Sequence, residues 1–318
     1  MERKDIQTLA AQVKERIQKV IVGKGDTVEL MLCAMIARGH VLLEDVPGTG
    51  KTVMAKSLAK SLSCDFARIQ FTPDLLPSDV TGLSIFNAQK GDFEFKPGPV
   101  FTNILLADEI NRATPRTQSA LLECMEERQV TSDGVTRKLS EPFLVIATQN
   151  PVETQGTFPL PEAQLDRFLM KLKPGYPSTE EAMAILDRFI QDNPLEELTP
   201  CASAEDIRAA QALFSGAYVS EPVRRYMVDL CEKTRELPEV ATGVSPRGLL
   251  ALLRACQALA LIRGRDFVTP DDVKELAVPV LAHRIILSGL YGRSVKSEEL
   301  VKEALGQITA PVESGERT

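Results

Sequence analysis

Histidine and paired cysteines are scarce in this chain. The 318 residues contain two histidines, His40 and His283, which are far apart in the sequence. The six cysteines are widely scattered, none forms a CxxC pair, and each lies in an apolar or helical context. A histidine-rich metal site and a disulfide framework are therefore disfavoured, and we expect reduced, mostly buried thiols.

Long apolar runs and an excess of basic residues are also missing. The richest apolar stretch, residues 249–262, contains Arg254 and Gln257, whereas a membrane span needs roughly 18 apolar residues. The N-terminus lacks the apolar region of a signal peptide. Lysine and arginine number 37 against 44 acidic residues, a net charge of −7, so no general attraction to nucleic acid or an anionic membrane is expected. We expect a cytoplasmic protein without a membrane span.

The first half of the chain alternates short apolar runs with helical periodicity. Two amphipathic helices come first, and the second is predicted to have Asp26 as its N-cap and to end near Gly39. The pattern then predicts an α/β core with a parallel sheet flanked by helices on both faces. The apolar runs that predict its strands are residues 41–43, 66–71, 104–107, 143–147 and 168–172, and helices are predicted notably at 51–62 and 114–127.

The second half has only helical periodicity. Residues 174–177, Pro-Gly-Tyr-Pro, have the composition of a linker. Ser245-Pro246 and Thr269-Pro270 each place a capping hydroxyl before a first-turn proline. The helices are predicted at roughly 178–192, 203–214, 220–235, 246–262, 270–283 and 296–307. We therefore predict two domains, an α/β core at residues 1–175 and a smaller all-α domain at 176–318.

A glycine-rich loop joins the first strand to a helix. Asp45 to Thr52 matches the phosphate-loop pattern GxxxxGK[ST] except that Asp45 replaces the first glycine. Such a loop aims backbone N–H groups at phosphate, and the following helix adds the positive end of its dipole. Lys51 can reach the β- and γ-phosphates, and the Thr52 hydroxyl can ligate Mg²⁺. The predicted nucleotide-binding residues are Pro47, Gly48, Thr49, Gly50, Lys51, Thr52 and Val53.

Polar residues follow two later strands. Asp108 and Glu109 end the strand at 104–107, where Asp108 is predicted to hold Mg²⁺ and Glu109 to act as general base toward water. Asn150 follows the next strand and is predicted to orient that water or to sense the γ-phosphate. No NKxD guanine signature is present, so ATP is favoured over GTP.

Together these motifs resemble the AAA+ ATPases and, within them, the MoxR family. The resemblance extends over residues 5 to 290, approximately. It rests on several motifs in order, which are residues 21–23, 45–52, 107–113, 117–123, 147–151, 160–168 and 245–247. It implies an ATPase core with an α-helical lid and ATP between them. It also implies a ring, usually a hexamer, in which neighbouring chains share active sites.

The resemblance also assigns residues outside the phosphate loop. It makes Asn150 sensor 1 and Arg247 sensor 2, whose guanidinium lid closure would bring to the phosphates. Arg167 resembles an arginine finger donated to a neighbour. An intrachain pair between Arg167 and Asp166 or another nearby acid is the alternative. Arg112 and Arg116 are rival fingers or interface residues.

The resemblance also implies an adenine site. Ile21, Val22 and Gly23 would pack against the base, although they would serve equally as a connector between helices.

Two hairpins are predicted, at residues 85–95 and 129–139. They would face a pore or partner, or simply shield a sheet edge.

We therefore expect an ATP-driven, ring-forming chaperone that remodels or matures partner proteins. In MoxR-like systems these are commonly proteins with von Willebrand factor A domains, or complexes that need maturation or metal insertion. A nucleic-acid motor or helicase loader is the alternative, against which the acidic balance and the lack of an obvious winged-helix or zinc module count. A scaffold that binds ATP without useful turnover is a third, against which the intact Asp108–Glu109 pair counts.

Overall fold

The apolar runs form a parallel sheet in the computed structural model, which describes residues 2–44, 46, 48–150, 156–190, 194–289 and 296–311. In this part of the chain the central sheet has five strands in the order β2-β5-β8-β1-β9, all paired in parallel. The strands are β1 (Val41–Glu44), β2 (Phe66–Gln70), β3 (Gly82–Asn87), β4 (Asp92–Pro97), β5 (Ile104–Asp108), β6 (Gln129–Ser132), β7 (Val135–Lys138), β8 (Leu144–Gln149), β9 (Met170–Leu172), β10 (Val240–Thr242) and β11 (Ile286–Leu287).

The helices agree closely with the periodicity of the sequence. Ser245 and Thr269 accept hydrogen bonds from the backbone N–H groups of Gly248 and Asp272, which confirms both predicted caps. The helices are α1 (Arg3–Gln18), α2 (Gly25–Ile36), α3 (Lys51–Ser61), α4 (Pro77–Thr81), α5 (Pro115–Glu127), α6 (Glu162–Leu165), α7 (Thr179–Phe189), α8 (Pro194–Glu197), α9 (Ala204–Leu213), α10 (Glu221–Glu236), α11 (Pro246–Ile262), α12 (Pro270–Leu281) and α13 (Ser297–Gln307).

The prediction for the start of α2 was wrong. The helix begins at Gly25 with Lys24 as its N-cap, so Asp26 lies inside the first turn. A carboxylate in the first turn is also stabilised by the positive end of the helix dipole. The residue type of Asp26 therefore does not distinguish the N-cap from the first turn. The helix also ends at Ile36, slightly before Gly39.

The C-terminal helices do not form a separate apolar core. Helix α11 packs against α1 and α2, and buried residues of α1–α3, one face of the sheet and α9–α13 form one continuous cluster. The other face of the sheet packs mainly against α5 in a second cluster. A short antiparallel pair, β10 with β11, adds to the otherwise helical part. The boundary at residue 175 stays a prediction.

Both ends of edge strand β9 are tied to the C-terminal helices. Arg284, with 3% of its side chain exposed, donates to Asp166 Oδ1 at 2.6 Å and to the Phe168 carbonyl at 2.7 Å. At the other end, Lys173 bridges Glu44 of β1 (3.0 Å) and Glu298 of α13 (2.5 Å). The helical part therefore lies along the β9 edge of the sheet.

The two predicted hairpins are confirmed as β3–β4 and β6–β7, and they contact each other. Ser84 Oγ donates to Asp133 Oδ2 at 2.6 Å, and the Arg137 guanidinium lies 3.9 Å from the centroid of the Phe95 ring. Phe93 at the outer end is 68% exposed. The functions suggested for these hairpins stay predictions.

The cysteines are unpaired. Cys33, Cys124, Cys231 and Cys256 are buried, whereas Cys64 and Cys201 are partly exposed. Burial raises the pKa of the Cys124 and Cys231 thiols to about 12, which suppresses the reactive thiolate. In the part of the chain that the structure describes, no helix is long and apolar enough to cross a membrane.

A buried histidine joins three elements at the amino end of the sheet. His40 directly precedes β1; its Nε2 lies 3.0 Å from the Met125 carbonyl oxygen of α5, and its Nδ1 accepts from the Val145 N–H of β8 at 3.0 Å. The neutral ring with its proton on Nε2 satisfies both contacts. Burial, with the nearby Arg128 charge, lowers the pKa of His40 from 6.5 to about 3.

We predict that His40 makes folding stability depend on pH in the acid range. Because the folded pKa is depressed, its contribution is complete above pH 6.5 and falls as the pH approaches 3, by at most about 1.4 kcal/mol per pH unit. Urea unfolding between pH 7.5 and 4.5 should show a shallower pH slope for His40→Gln than for wild type. Buried His283 contributes to both proteins, so the difference isolates His40. Equal slopes would contradict the prediction.

Candidate nucleotide-binding site

The phosphate loop lies between β1 and α3. Gly48 and Gly50 both have φ of +84°, a conformation that favours glycine, and a Cβ at either position would meet no atom within 4 Å. Backbone conformation rather than crowding therefore requires glycine here. Helix α3 begins at Lys51, so its N-terminus faces the loop. Asp45 and the predicted ligand Pro47 lie outside the described residues.

A cavity of about 410 Å³ opens beside this loop. Its lining combines loop residues with residues at the carboxyl ends of β2, β5 and β8. The lining residues are Gly48, Gly50, Lys51, Thr52, Val53, Arg68, Gln70, Asp108, Glu109, Thr148 and Asn150. The structure thus brings most of the predicted phosphate, metal and water residues to one place. Thr49 does not line it, and its hydroxyl donates to the Val46 carbonyl at 3.3 Å.

Thr148 holds the two acidic residues in place. Its Oγ1 donates to Asp108 Oδ1 at 2.6 Å and accepts from the Glu109 N–H at 2.8 Å. Glu109 has φ of +54°, which is uncommon for a residue with a side chain. The hydrogen bond from its N–H to Thr148 helps to stabilise this conformation. No sequence pattern predicted this role of Thr148.

The Glu109 carboxylate is engaged by two donors. Its Oε2 accepts from Gln70 Nε2 at 2.8 Å and from Arg112 at 3.0 Å. Gln70 ends β2 directly opposite Asp108 in the parallel register. Arg112, a rival finger on sequence grounds, is therefore an intrachain partner of the candidate base.

The cavity has the oxygen donors that Mg²⁺ requires. The Thr52 hydroxyl and the Asp108 carboxylate both line it. Among the described residues no cluster of three or more His, Cys, Asp or Glu is arranged to hold a metal ion. Mg²⁺ binds with few protein ligands and completes its shell with water and phosphate, so this donor set fits it.

The predicted adenine residues connect α1 to α2, and Gly23 lies beside the first turn of α7. Gly23 has φ of +72°, and a Cβ there would be 1.8 Å from Glu181 Oε1 of α7. Lys24 Nζ donates to the carbonyls of Pro174 (2.7 Å) and Gly175 (3.0 Å). Gly23 thus permits close packing against α7, whereas neither it nor Val22 lines the 410 Å³ cavity. Their adenine role stays a prediction.

Arg167 and Arg247 are brought together, but not in the cavity. Arg167 Nε lies 3.1 Å from Glu126 Oε2, and Arg247 Nη2 lies 3.1 Å from the other oxygen of the same carboxylate. Arg247 Nε also lies 3.5 Å from Asp166. The intrachain pair of Arg167 is therefore with Glu126.

The register of the sheet places this pair far from the phosphate loop. Val41 of β1 lies opposite Met170 of β9, and Arg167 shortly precedes β9. The loop follows the carboxyl end of β1, a strand that alone spans roughly 13 Å. Arg167 and Arg247 therefore lie near the amino ends of the strands, whereas the phosphate loop of their own chain lies at the carboxyl ends.

Comparison with known proteins agrees with this fold. The family model "ATPase family associated with various cellular activities (AAA)" matches residues 40–170, and an "AAA lid domain" model matches residues 232–304. A crystal structure of a Cytophaga hutchinsonii protein classed as an ATPase has a TM-score of 0.91 and 39% identity, covering 98% of this chain and 97% of that chain. The chain is thus an AAA+ ATPase core with a lid.

Curated relatives identify the family within the AAA+ ATPases. "Chaperone MoxR1" of Mycobacterium tuberculosis is 41% identical, covering 96% of this chain and 83% of its own. "Protein MoxR" of Paracoccus denitrificans is 35% identical over 92% and 93%. "Uncharacterized protein YeaC" of Bacillus subtilis is 51% identical over 98% of both chains. The chain belongs to the MoxR family of AAA+ ATPases.

The contacts of Thr148 predict a metal-dependent defect. Thr148→Val keeps the shape but removes both hydrogen bonds, so Asp108 and Glu109 lose their alignment. We expect the Mg²⁺ concentration for half-maximal ATP hydrolysis to rise about tenfold or more. Thr148→Ser retains the hydroxyl and should stay close to wild type in the same titration. Equal Mg²⁺ dependence of the Val and Ser variants would contradict this role.

Proposed function

We propose that this chain binds ATP with Mg²⁺ and hydrolyses it to ADP and phosphate. One observation supports the proposal above all. A single cavity at the carboxyl ends of the parallel strands is lined by Lys51, Thr52, Asp108 and Glu109. A cation, a hydroxyl and two carboxylates are the groups that phosphoryl transfer to water needs.

The roles follow from chemistry. The loop N–H groups and Lys51 bind the β- and γ-phosphates, and Thr52 and Asp108 hold Mg²⁺, which supplies charge neutralisation on the phosphates when bound. Glu109 takes a proton from the attacking water, and Asn150 orients that water or senses the γ-phosphate. Glu109 must first be free of Gln70 and Arg112, its present hydrogen-bond donors.

The active site is completed by a neighbouring chain. Arg167 and Arg247 lie near the amino ends of the strands, away from the phosphate loop at the carboxyl ends, which supports donation of both guanidinium groups to the next subunit of a ring. A guanidinium from outside stabilises charge on the γ-phosphate, and in related NTPases this increases the rate by about 10³ to 10⁵. On this proposal Arg247 acts between chains rather than by lid closure in its own chain. A ring of identical subunits, six by the family resemblance, satisfies this arrangement.

The work of the ring is remodelling of client proteins. The relative named "Chaperone MoxR1" supports this function. The paired hairpins expose Phe86 and Phe93, which supports a partner-contacting position for them. Proteins with von Willebrand factor A domains are the proposed clients, since these are the common clients of MoxR-like systems.

The general-base assignment predicts separate effects on binding and turnover. Glu109→Gln keeps a side chain of similar size that cannot take the proton, so turnover should fall at least about 100-fold. ATP affinity, measured with a fluorescent nucleotide, should change little. Phosphate release gives the turnover. Normal turnover in Glu109→Gln would remove Glu109 from this role.

A mixing experiment tests the shared site. Lys51→Ala and Arg167→Ala should each be nearly inactive alone. In a 1:1 mixture, some interfaces combine the intact loop of one variant with the intact Arg167 of the other. ATPase activity should therefore recover to about a quarter of wild type if subunits mix randomly. Mixing Lys51→Ala with Arg247→Ala in the same way tests whether Arg247 is also donated to the neighbouring subunit.

The rival finger provides the matched control. Arg116 is exposed in the first turn of α5, and Arg116→Ala alone should remain active. A Lys51→Ala and Arg167→Ala mixture that co-assembles on a sizing column but stays inactive would refute donation of Arg167 between chains.

A further inference from the structure

The Asp108 carboxylate, which is assigned to Mg²⁺, already forms an ion pair with a cation of the same chain. Arg68 of β2 donates to Asp108 Oδ2 through Nη2 at 2.7 Å and Nε at 3.2 Å. Asp108 Oδ1 is used by Thr148. Both oxygens of the residue assigned to Mg²⁺ therefore accept hydrogen bonds from protein groups.

Arg68 is also linked to the candidate base. Arg68 Nη2 donates to Gln70 Oε1 at 3.1 Å, and Gln70 Nε2 donates to Glu109 Oε2 at 2.8 Å. The guanidinium fixes which way the Gln70 amide points, since a flipped amide would set N–H against N–H and oxygen against carboxylate. Asp108, Arg68, Gln70 and Glu109 thus form one hydrogen-bonded chain.

We propose that Arg68 is an internal counter-cation that occupies Asp108 until Mg²⁺ binds, and that its departure frees Glu109 from Gln70, one of its two donors. The inference rests on the proposed ATPase function and adds an order of events to it. Arg68 and Gln70 are positioning residues: they act through Asp108 and Glu109.

The exposure of the two partners makes this exchange feasible. The Arg68 side chain is 47% exposed, whereas that of Asp108 is 15% exposed. Arg68 can turn into water with little loss of solvation, and an ion pair so open to solvent is weak. A divalent ion that arrives with the nucleotide competes well for the carboxylate. Once Arg68 leaves, no other hydrogen bond among the described residues holds the Gln70 oxygen, and the Gln70 amide no longer fixes Glu109.

Competition predicts tighter metal binding when Arg68 is removed. The probe is Mn²⁺, titrated into the ADP-bound full chain and followed by electron paramagnetic resonance, which needs no turnover. Arg68→Met should bind Mn²⁺ about threefold to tenfold more tightly than wild type. Arg68→Lys keeps the charge and should stay close to wild type.

Two further variants distinguish competition by Arg68 for Asp108 from a general effect of removing a positive charge near the site. Arg112→Met removes a neighbouring cation that contacts Glu109, and it should change the Mn²⁺ affinity less than about twofold. Gln70→Leu removes one acceptor of Arg68 and should tighten Mn²⁺ binding by a smaller factor than Arg68→Met. The double variant should match Arg68→Met alone, because the two changes act on one link.

Each part of the proposal has its own result that would overturn it. Equal Mn²⁺ affinities in wild type and Arg68→Met, or an equal gain in Arg112→Met, would overturn the counter-cation role. Additive effects of Gln70→Leu and Arg68→Met would overturn the link to Glu109. These results leave the proposed ATPase standing, whereas a wild-type chain that binds no nucleotide would remove both proposals.

Discussion

Parallel pairing of β5 with β2 and β8 is the constraint on which the candidate site depends. Because the strands run in the same direction, their polar carboxyl ends meet beside the phosphate loop. The register sets Gln70 opposite Asp108 and Ala107 opposite Ala147, so Thr148 and Gln70 reach the two acids from either side. A shift of one residue would turn these side chains to the other face of the sheet.

The parts of the site that follow strand ends were predictable from sequence. Lys51, Thr52, Asp108, Glu109 and Asn150 were placed by local patterns, since an apolar run followed by polar residues marks where a buried strand stops. The structure brings them together in one cavity. The parallel sheet, the helical lid and both hairpins were predicted for the same reason: their signals lie within a few adjacent residues.

The partners of these residues were not predictable, because they depend on register and packing across long stretches of chain. Arg68 and Gln70 look like ordinary strand residues until β2 is paired with β5. The position of Arg247 depends on how the lid packs along β9, which no local pattern specifies. Even the start of α2 was misassigned, since Asp26 suits the cap and the first turn alike.

The continuous core of α1–α3 and α9–α13 has a consequence for the lid as a module. Cutting the chain at the linker would expose the apolar faces of the N-terminal helices to water, an unfavourable change proportional to the area uncovered. Core and lid should therefore unfold in a single cooperative transition. A lid of this family transplanted to another core would have to bring its complementary N-terminal helices with it.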